Sequence, residues 1–151
     1  MLKSILITFL LAMVPVLELR GALPVGVAMG LNPLLAAGIS LLGNLLPIPF
    51  LLLLVPKIFD FLRDKKPTKK LILWLEQKAE KNRKPIEKYG YAGLLLLVAI
   101  PLPGTGAWTG ALVAACLKMS KKKSLAFISL GVLLAATIVL LLTYSVSELL
   151  A

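Results

Sequence analysis

Residues 98–110, VAIPLPGTGAWTG, interrupt a long apolar segment with two prolines, three glycines and two threonines. Proline removes a backbone donor and glycine weakens a helix, so a helix that only spans a membrane gains nothing from this cluster. Pro101 and Pro103 favour extended chain, and Gly104 and Gly106 permit a tight turn directly afterwards. The stretch therefore predicts a break in the backbone inside an apolar region.

The composition around this break is that of an integral membrane protein. Of the 151 residues, 59% are hydrophobic, and the mean hydropathy of +0.94 is too high for a soluble domain. The net charge of +10 can indicate nucleic acid, but the basic residues cluster between apolar segments, which suits anionic lipid headgroups better. Histidine is absent and Cys116 is the single cysteine. We therefore expect no nucleic-acid partner, no metal site and no cofactor.

Four apolar segments are predicted, at residues 5–31, 33–55, 89–117 and 124–144. The second and fourth are long enough to cross a bilayer, which takes about 20 residues. The first and third are each broken near the middle into pieces of about 12–15 residues, which reach about halfway through the hydrocarbon core. Each of these two segments is either one long broken transmembrane helix or a re-entrant hairpin that enters and leaves on the same side.

The placement of charge favours the hairpins. Segment 57–88 carries eleven lysines and arginines, so it belongs in the cytoplasm. A spanning third segment would put the basic loop 118–123 outside, whereas a re-entrant hairpin keeps that loop in the cytoplasm. The same logic makes the first segment re-entrant from the outer side. We therefore predict a multi-pass protein of the plasma membrane, or cell inner membrane, with loops 57–88 and 118–123 cytoplasmic and both termini outside.

This topology predicts an all-α integral membrane protein built as two inverted repeats. Each repeat is a re-entrant helical hairpin followed by one transmembrane helix, a recurring plan of secondary transporters. The single membrane domain, residues 1–151, then divides into a first repeat at 1–56, an amphipathic linker at 57–88 and a second repeat at 89–151.

Within the linker, residues 68–84 predict an amphipathic helix. Leu71, Trp74, Leu75 and Ala79 fall on or near one side of it, among many lysines. Lysine and tryptophan are typical of a helix that lies on a membrane surface, here the cytoplasmic one.

Two charges, Glu18 and Arg20, lie at the break of the first apolar segment. A charge at membrane depth costs at least about 2.5–3.5 kcal/mol, so such residues are usually paired or functional. The second helix of each hairpin begins at its break and brings free N–H groups and a positive dipole end there. Together with Arg20, these groups predict a site for an anion such as phosphate. Glu18 and Arg20 either form a structural pair, or Glu18 carries a proton while Arg20 contacts substrate.

Other polar residues near the breaks leave two interpretations open. The hydroxyls of Thr105 and Thr109 can bind freed backbone groups or a ligand. Asn44 either bonds to a hairpin backbone or contacts the ligand, and Trp108 either packs or acts as a gate. The predicted site for substrate or ion, with no catalytic residue, comprises Glu18, Arg20, Gly21, Asn44, Pro103, Gly104, Thr105, Gly106, Trp108 and Thr109.

Three motifs, ELRGALPVG (18–26), GNLLPIP (43–49) and IPLPGTGAWTGAL (100–112), resemble the family of putative small multidrug export proteins. That family is similar to the DedA membrane proteins, which are built on two re-entrant hairpins in inverted repeat. Some DedA proteins move the lipid carrier undecaprenyl phosphate. The resemblance implies transport, with Glu18 at the position of the DedA-like acidic residue. The second DedA hairpin carries arginines, whereas PGTGAWTG here has none.

These observations predict a small membrane transporter, a proton-coupled flippase of an anionic lipid or of another anionic substrate. A homo-oligomer, most simply a dimer, is expected because two spans and two hairpins enclose little space. Two other functions stay open: a membrane enzyme that processes lipid phosphates and a non-catalytic scaffold subunit. The absence of histidine and of a second acidic residue at the break counts against the enzyme.

Overall fold

The computed structural model describes residues 1–102 and 104–150, except for the side chains of Ser147 and Leu150. Within that part of the chain all regular secondary structure is helical, as the composition predicts. A 3-10 turn, Lys66–Thr68, precedes the fifth helix. The described residues form nine α-helices: α1 Leu2–Met13, α2 Glu18–Ala28, α3 Pro33–Leu45, α4 Pro47–Leu62, α5 Lys69–Lys81, α6 Arg83–Tyr89, α7 Tyr91–Ala99, α8 Ala107–Cys116 and α9 Lys121–Leu150.

Helices α1 and α2 run antiparallel and pack closely. Ser4 Oγ, at the start of α1, donates a hydrogen bond to the Met29 carbonyl just past the end of α2, at 3.3 Å. Gly26 permits the close approach, because a Cβ there would lie 2.7 Å from Thr8 Oγ1. Small residues at such contacts are typical of helix packing in membranes. The first broken segment is therefore a pair of short helices side by side.

Two long apolar helices follow the short pairs. Helices α3 and α4 continue one another as Pro33–Leu62, and α9 contains a second long helix, Lys121–Val146. At 1.5 Å per residue, each is longer than a hydrocarbon core of about 30 Å. Asn32 fixes the start of the first, because its Oδ1 accepts a hydrogen bond from the Leu34 N–H at 2.9 Å. The two long apolar helices predicted from the sequence are therefore present, and each is long and apolar enough to cross a membrane.

Helices α7 and α8 form the second short pair, and α9 packs against both. Gly110 of α8 faces the end of α7, since a Cβ at that position would lie 2.6 Å from Val98 Cγ2. Gly131 brings α9 onto α7, with the Leu95 carbonyl oxygen 2.8 Å from where its Cβ would be. A pair of short helices followed by a long helix thus occurs twice along the chain.

The linker helix α5 exists as predicted, but its apolar residues differ in burial. Ile72 and Ala79 are buried, and Leu75 packs against the same core, because α5 lies along α4 and α8. Leu71 and Trp74 are 53% and 56% exposed. Leu71, Trp74, Leu75 and Ala79 thus lie near one side of the helix, as their spacing predicts, but tertiary packing buries only part of that side.

Candidate functional site

The two breaks meet each other. The first break, residues 14–17, ends at Glu18, which begins α2 with a backbone φ of +48°. The second break, residues 100–106, contains Gly104 and Gly106 with φ of +79° and +130°. These angles lie in the region that glycine adopts without strain, as the PGTG stretch predicts. Side chains at the start of α2 reach across to the second break.

Glu18 binds the start of α8. Its side chain is buried, and Oε1 accepts a hydrogen bond from the Trp108 N–H at 3.0 Å. Gly106 lies directly against the carboxylate, so that a Cβ at this position would overlap Glu18 Oε2. A carboxylate at a helix N-terminus satisfies free N–H groups and interacts favourably with the helix dipole. Glu18 therefore occupies the N-terminus that the sequence assigns to an anionic ligand.

Arg20 binds the other side of the same break, at the C-terminus of α7 and the chain that follows it. Nη1 donates to the Thr105 and Leu102 carbonyls at 2.7 and 2.8 Å, and to Thr105 Oγ1 at 3.0 Å. Nη2 donates to the carbonyls of Val98 and Ile100, both at 3.1 Å. A cation at a helix C-terminus satisfies carbonyls that lack helical partners. Arg20 thus holds the second break in shape.

Glu18 and Arg20 do not form the structural ion pair considered from the sequence. Among the described residues, the side-chain ion pairs within 4 Å involve Arg63 and Arg83 only. Both Glu18 and Arg20 lie in the first turn of α2, where residues two apart point in different directions. The carboxylate goes to the start of α8 and the guanidinium to the end of α7.

Three further side chains stabilise the breaks, one by joining the second break to α1 and two by bonding within the second break. The Trp108 Nε1–H donates to the Met13 carbonyl, the last residue of α1, at 3.1 Å. Thr105 Oγ1 lies 3.0 and 2.8 Å from the carbonyls of Ile100 and Leu102, and Thr109 Oγ1 donates to the Gly104 carbonyl at 3.2 Å. The two threonines serve freed backbone groups, which is one of the two roles predicted for them.

A cavity of about 470 Å³ opens beside these contacts. Both breaks line it, and so does Lys78, which reaches it from α5. Sequence reasoning missed Lys78, because nothing along the chain separates it from the ten other basic residues of segment 57–88. The predicted site residues that line this cavity are Glu18, Arg20, Gly21, Gly104, Thr105 and Thr109.

The remaining predicted positions lie elsewhere. Gly106 and Trp108 contact the Glu18 carboxylate without lining the cavity. Asn44 is 1% exposed on α3, away from the cavity lining, and its Oδ1 has no hydrogen-bond partner among the described residues. The Asn44 Oδ1 therefore does not make the predicted hydrogen bond to a hairpin backbone. Pro103 lies outside the described residues.

The family of the chain follows from residues 18–138. This range matches the family model described as putative small multi-drug export protein, and it includes Glu18, Arg20 and the whole second break. The chain belongs to this family. Membership indicates a membrane transporter, in agreement with the two long apolar helices. No curated protein and no solved structure matches the chain, and the resemblance to DedA proteins stays a prediction.

In this protein, the paired breaks place the side chains of Glu18 and Arg20 at the ends of helix dipoles. A charge at the complementary helix end contributes typically 0.3–1 kcal/mol at exposed sites and up to about 2 kcal/mol when partly buried. Within the described residues no group of three or more His, Cys, Asp or Glu side chains could hold a metal ion. The groups that meet at the site are the Glu18 carboxyl, the Arg20 guanidinium and the backbone N–H and C=O groups of the second break.

Proposed function

We propose that this protein is a transporter whose substrate passes the contact between the two breaks. The short pairs α1–α2 and α7–α8 act as re-entrant hairpins from opposite sides of the membrane, in an inverted repeat. The lengths of 9–12 residues support this, because helices of about 14–18 Å reach roughly half of a hydrocarbon core. The antiparallel packing of α1 on α2 supports it as well.

The observation that carries the function is the Glu18 carboxylate on the Trp108 N–H, beside a cavity. Protonation would neutralise the carboxylate and weaken its hold on the α8 N-terminus. The freed N–H groups would then donate hydrogen bonds to an anionic group of the substrate. One proton on Glu18 and one anion at α8 are mutually dependent in this scheme, which makes the protein a proton-coupled carrier of an anionic lipid or other anion.

Glu18→Gln tests the coupling, because the amide keeps an acceptor oxygen but cannot take up a proton. Purified protein is reconstituted in phosphatidylcholine vesicles with fluorescent phosphatidylglycerol, and movement between leaflets is followed by dithionite bleaching under an imposed pH gradient. We expect the wild type to respond to the gradient and Glu18→Gln not to respond. Glu148→Gln, an exposed carboxyl near the end of α9, is the matched control.

Two results would contradict the proposal. Movement by Glu18→Gln that keeps the full response to the pH gradient would remove the proton role. Equal movement of fluorescent phosphatidylcholine and phosphatidylglycerol by the wild type would remove the preference for an anion.

The proposed topology is tested separately by cysteine labelling of the chain with Cys116→Ala. Lys121→Cys should react with a membrane-impermeant maleimide only from the cytoplasm, and Lys3→Cys and Glu148→Cys only from outside. These three positions are exposed in the structure. Labelling of Lys121→Cys from outside would mean that residues 89–117 span the membrane.

We further propose a homodimer, since a chain with two long helices surrounds a midplane site incompletely. Analytical ultracentrifugation in detergent should give twice the monomer mass of 16.2 kDa. A single monomeric species would count against it.

A further inference from the structure

A second cavity adjoins the first on the side of α5. Its volume is about 410 Å³, and it is lined by Trp74, Gln77, Lys78, Lys81, Asn82 and Gly104. Lys78 and Gly104 line both cavities, so they mark the junction between them. Gly104 has a φ of +79°, and among the described residues other than its chain neighbours no heavy atom lies within 4 Å of the position a Cβ would take, which leaves the junction open. The second cavity is therefore a vestibule to the first.

The charges that line this vestibule have one sign. Its two ionisable groups are Lys78 and Lys81, and the other polar groups are the neutral amides of Gln77 and Asn82. The acidic residues of α5, Glu76 and Glu80, instead line a cavity on another side of the helix, where they pair with Arg63 and Arg83. Helix α5 thus separates a charge-balanced surface from a purely cationic one. A concave surface with one sign of charge concentrates the opposite ion.

Lys78 differs from the other lysines of its segment. Of the nine lysines in residues 57–88, all of which the structure describes, Lys78 alone is partly buried and the other eight are exposed. It has no carboxylate within 4 Å among the described residues. Its ammonium lies 5.5 Å from the Trp74 ring centroid. Glu18 lines the first cavity together with Lys78, but no carboxylate in the described part of the chain contacts the Lys78 ammonium directly, so a bound anion can contact it.

We propose that the vestibule binds an oxyanion of the phosphate type through Lys78 and Lys81, before the substrate reaches Glu18. The amides of Gln77 and Asn82 add hydrogen-bond donors, and Trp74 packs beside the ligand. The assignment to substrate rests on the proposed function, because it requires that the transported molecule is anionic. Binding itself does not require Glu18.

Native mass spectrometry of the full chain in detergent tests the site with three probes: dihexanoyl phosphatidic acid, dihexanoyl phosphatidylcholine and inorganic phosphate. The double variant Lys78→Gln/Lys81→Gln is compared with Lys69→Gln/Lys70→Gln, which removes two exposed lysines from the same helix. We expect the first pair to weaken binding of phosphatidic acid about tenfold or more, as for lost bonds to a charged group. Lys69→Gln/Lys70→Gln should change the binding of phosphatidic acid little. Binding of phosphatidylcholine should change little in either double variant.

The outcomes separate the possible ligands and the two proposals. If binding of inorganic phosphate depends on Lys78 and Lys81 as strongly as binding of phosphatidic acid does, the site is supported and is assigned to a soluble oxyanion. Equal losses in both double variants would overturn the site, because only net charge would then matter. Lys78→Arg/Lys81→Arg should restore binding and excludes misfolding as the cause. If binding depends on Lys78 while Glu18→Gln still responds to a pH gradient, the vestibule stands and the proton role fails.

Discussion

The two breaks that meet in this protein are opposite in kind. The first presents ionisable side chains, Glu18 and Arg20, on the first turn of α2. The second presents backbone, with N–H groups at the start of α8 and four carbonyls around the end of α7. Each break therefore supplies what the other lacks. The comparison explains why one apolar segment tolerates charges and the other needs glycines.

The largest effect is expected where the two breaks approach most closely. Gly106→Ala would overlap the Glu18 carboxylate and also strain a φ of +130°. We expect a loss of about 3 kcal/mol in the free energy of unfolding, from backbone strain and overpacking together. Denaturant unfolding in detergent, followed by circular dichroism, measures this loss.

Gly104→Ala is the control for that measurement. It shares the break and a positive φ of +79°, but a Cβ there meets no heavy atom within 4 Å. Backbone strain alone should cost about 1–2 kcal/mol. Equal losses at both glycines would show that the contact of Gly106 with Glu18 adds nothing.

A smaller loss of stability is expected when the guanidinium of the first break is replaced by a cation of different geometry. Arg20→Lys retains one positive charge, yet a single ammonium with three donors cannot reach all four carbonyls. We expect a loss of about 2 kcal/mol in the same unfolding measurement. Arg63→Lys, on an exposed ion pair with Glu76, should change little. An unchanged stability of Arg20→Lys would mean that charge alone matters at this position.

The smallest effect is expected for the hydrogen bond that joins Trp108, at the start of α8, to the end of α1. Trp108→Phe keeps the aromatic packing but removes the Nε1–H that donates to the Met13 carbonyl. A loss of about 1 kcal/mol is expected for one hydrogen bond. Trp74→Phe, at a position where tryptophan is 56% exposed, is the matched control. Comparable changes in the two variants would argue against the Met13 contact.

Local signals predicted the second break and the long helices, whereas the first break lies at residues 14–17, just before Glu18 and Arg20 and not at them. Pro101, Gly104 and Gly106 determine backbone angles at their own positions, and a long apolar run needs no knowledge of its neighbours to be read as a long helix. The linker helix was likewise found from its amphipathic pattern. What could not be predicted there was which part of its apolar side is buried, because α8 and α4 cover that part through contacts distant in sequence.

The partners of the site residues could not be predicted. Glu18 and Arg20 were identified as important, but their actual contacts lie about 80–90 residues away along the chain. The free N-terminus of α8 suggested an external anion, although the chain provides its own carboxylate for it. The position of Lys78 at the cavity and the unpaired oxygen of Asn44 both result from the packing of helices, which residue spacing in the sequence does not indicate.

The complementarity of the breaks bears on how such a molecule can be assembled from pieces. Two copies of the first half would bring two carboxylates and two guanidiniums together without the glycine-lined backbone that receives them. Two copies of the second half would leave the carbonyls of α7 and the N–H groups of α8 without charged partners. Neither half can replace the other. If the two share an ancestor, one must have acquired the charged side chains and the other the glycine-containing backbone that they bind. A chain divided within residues 62–69 should regain its fold only when both fragments are produced together.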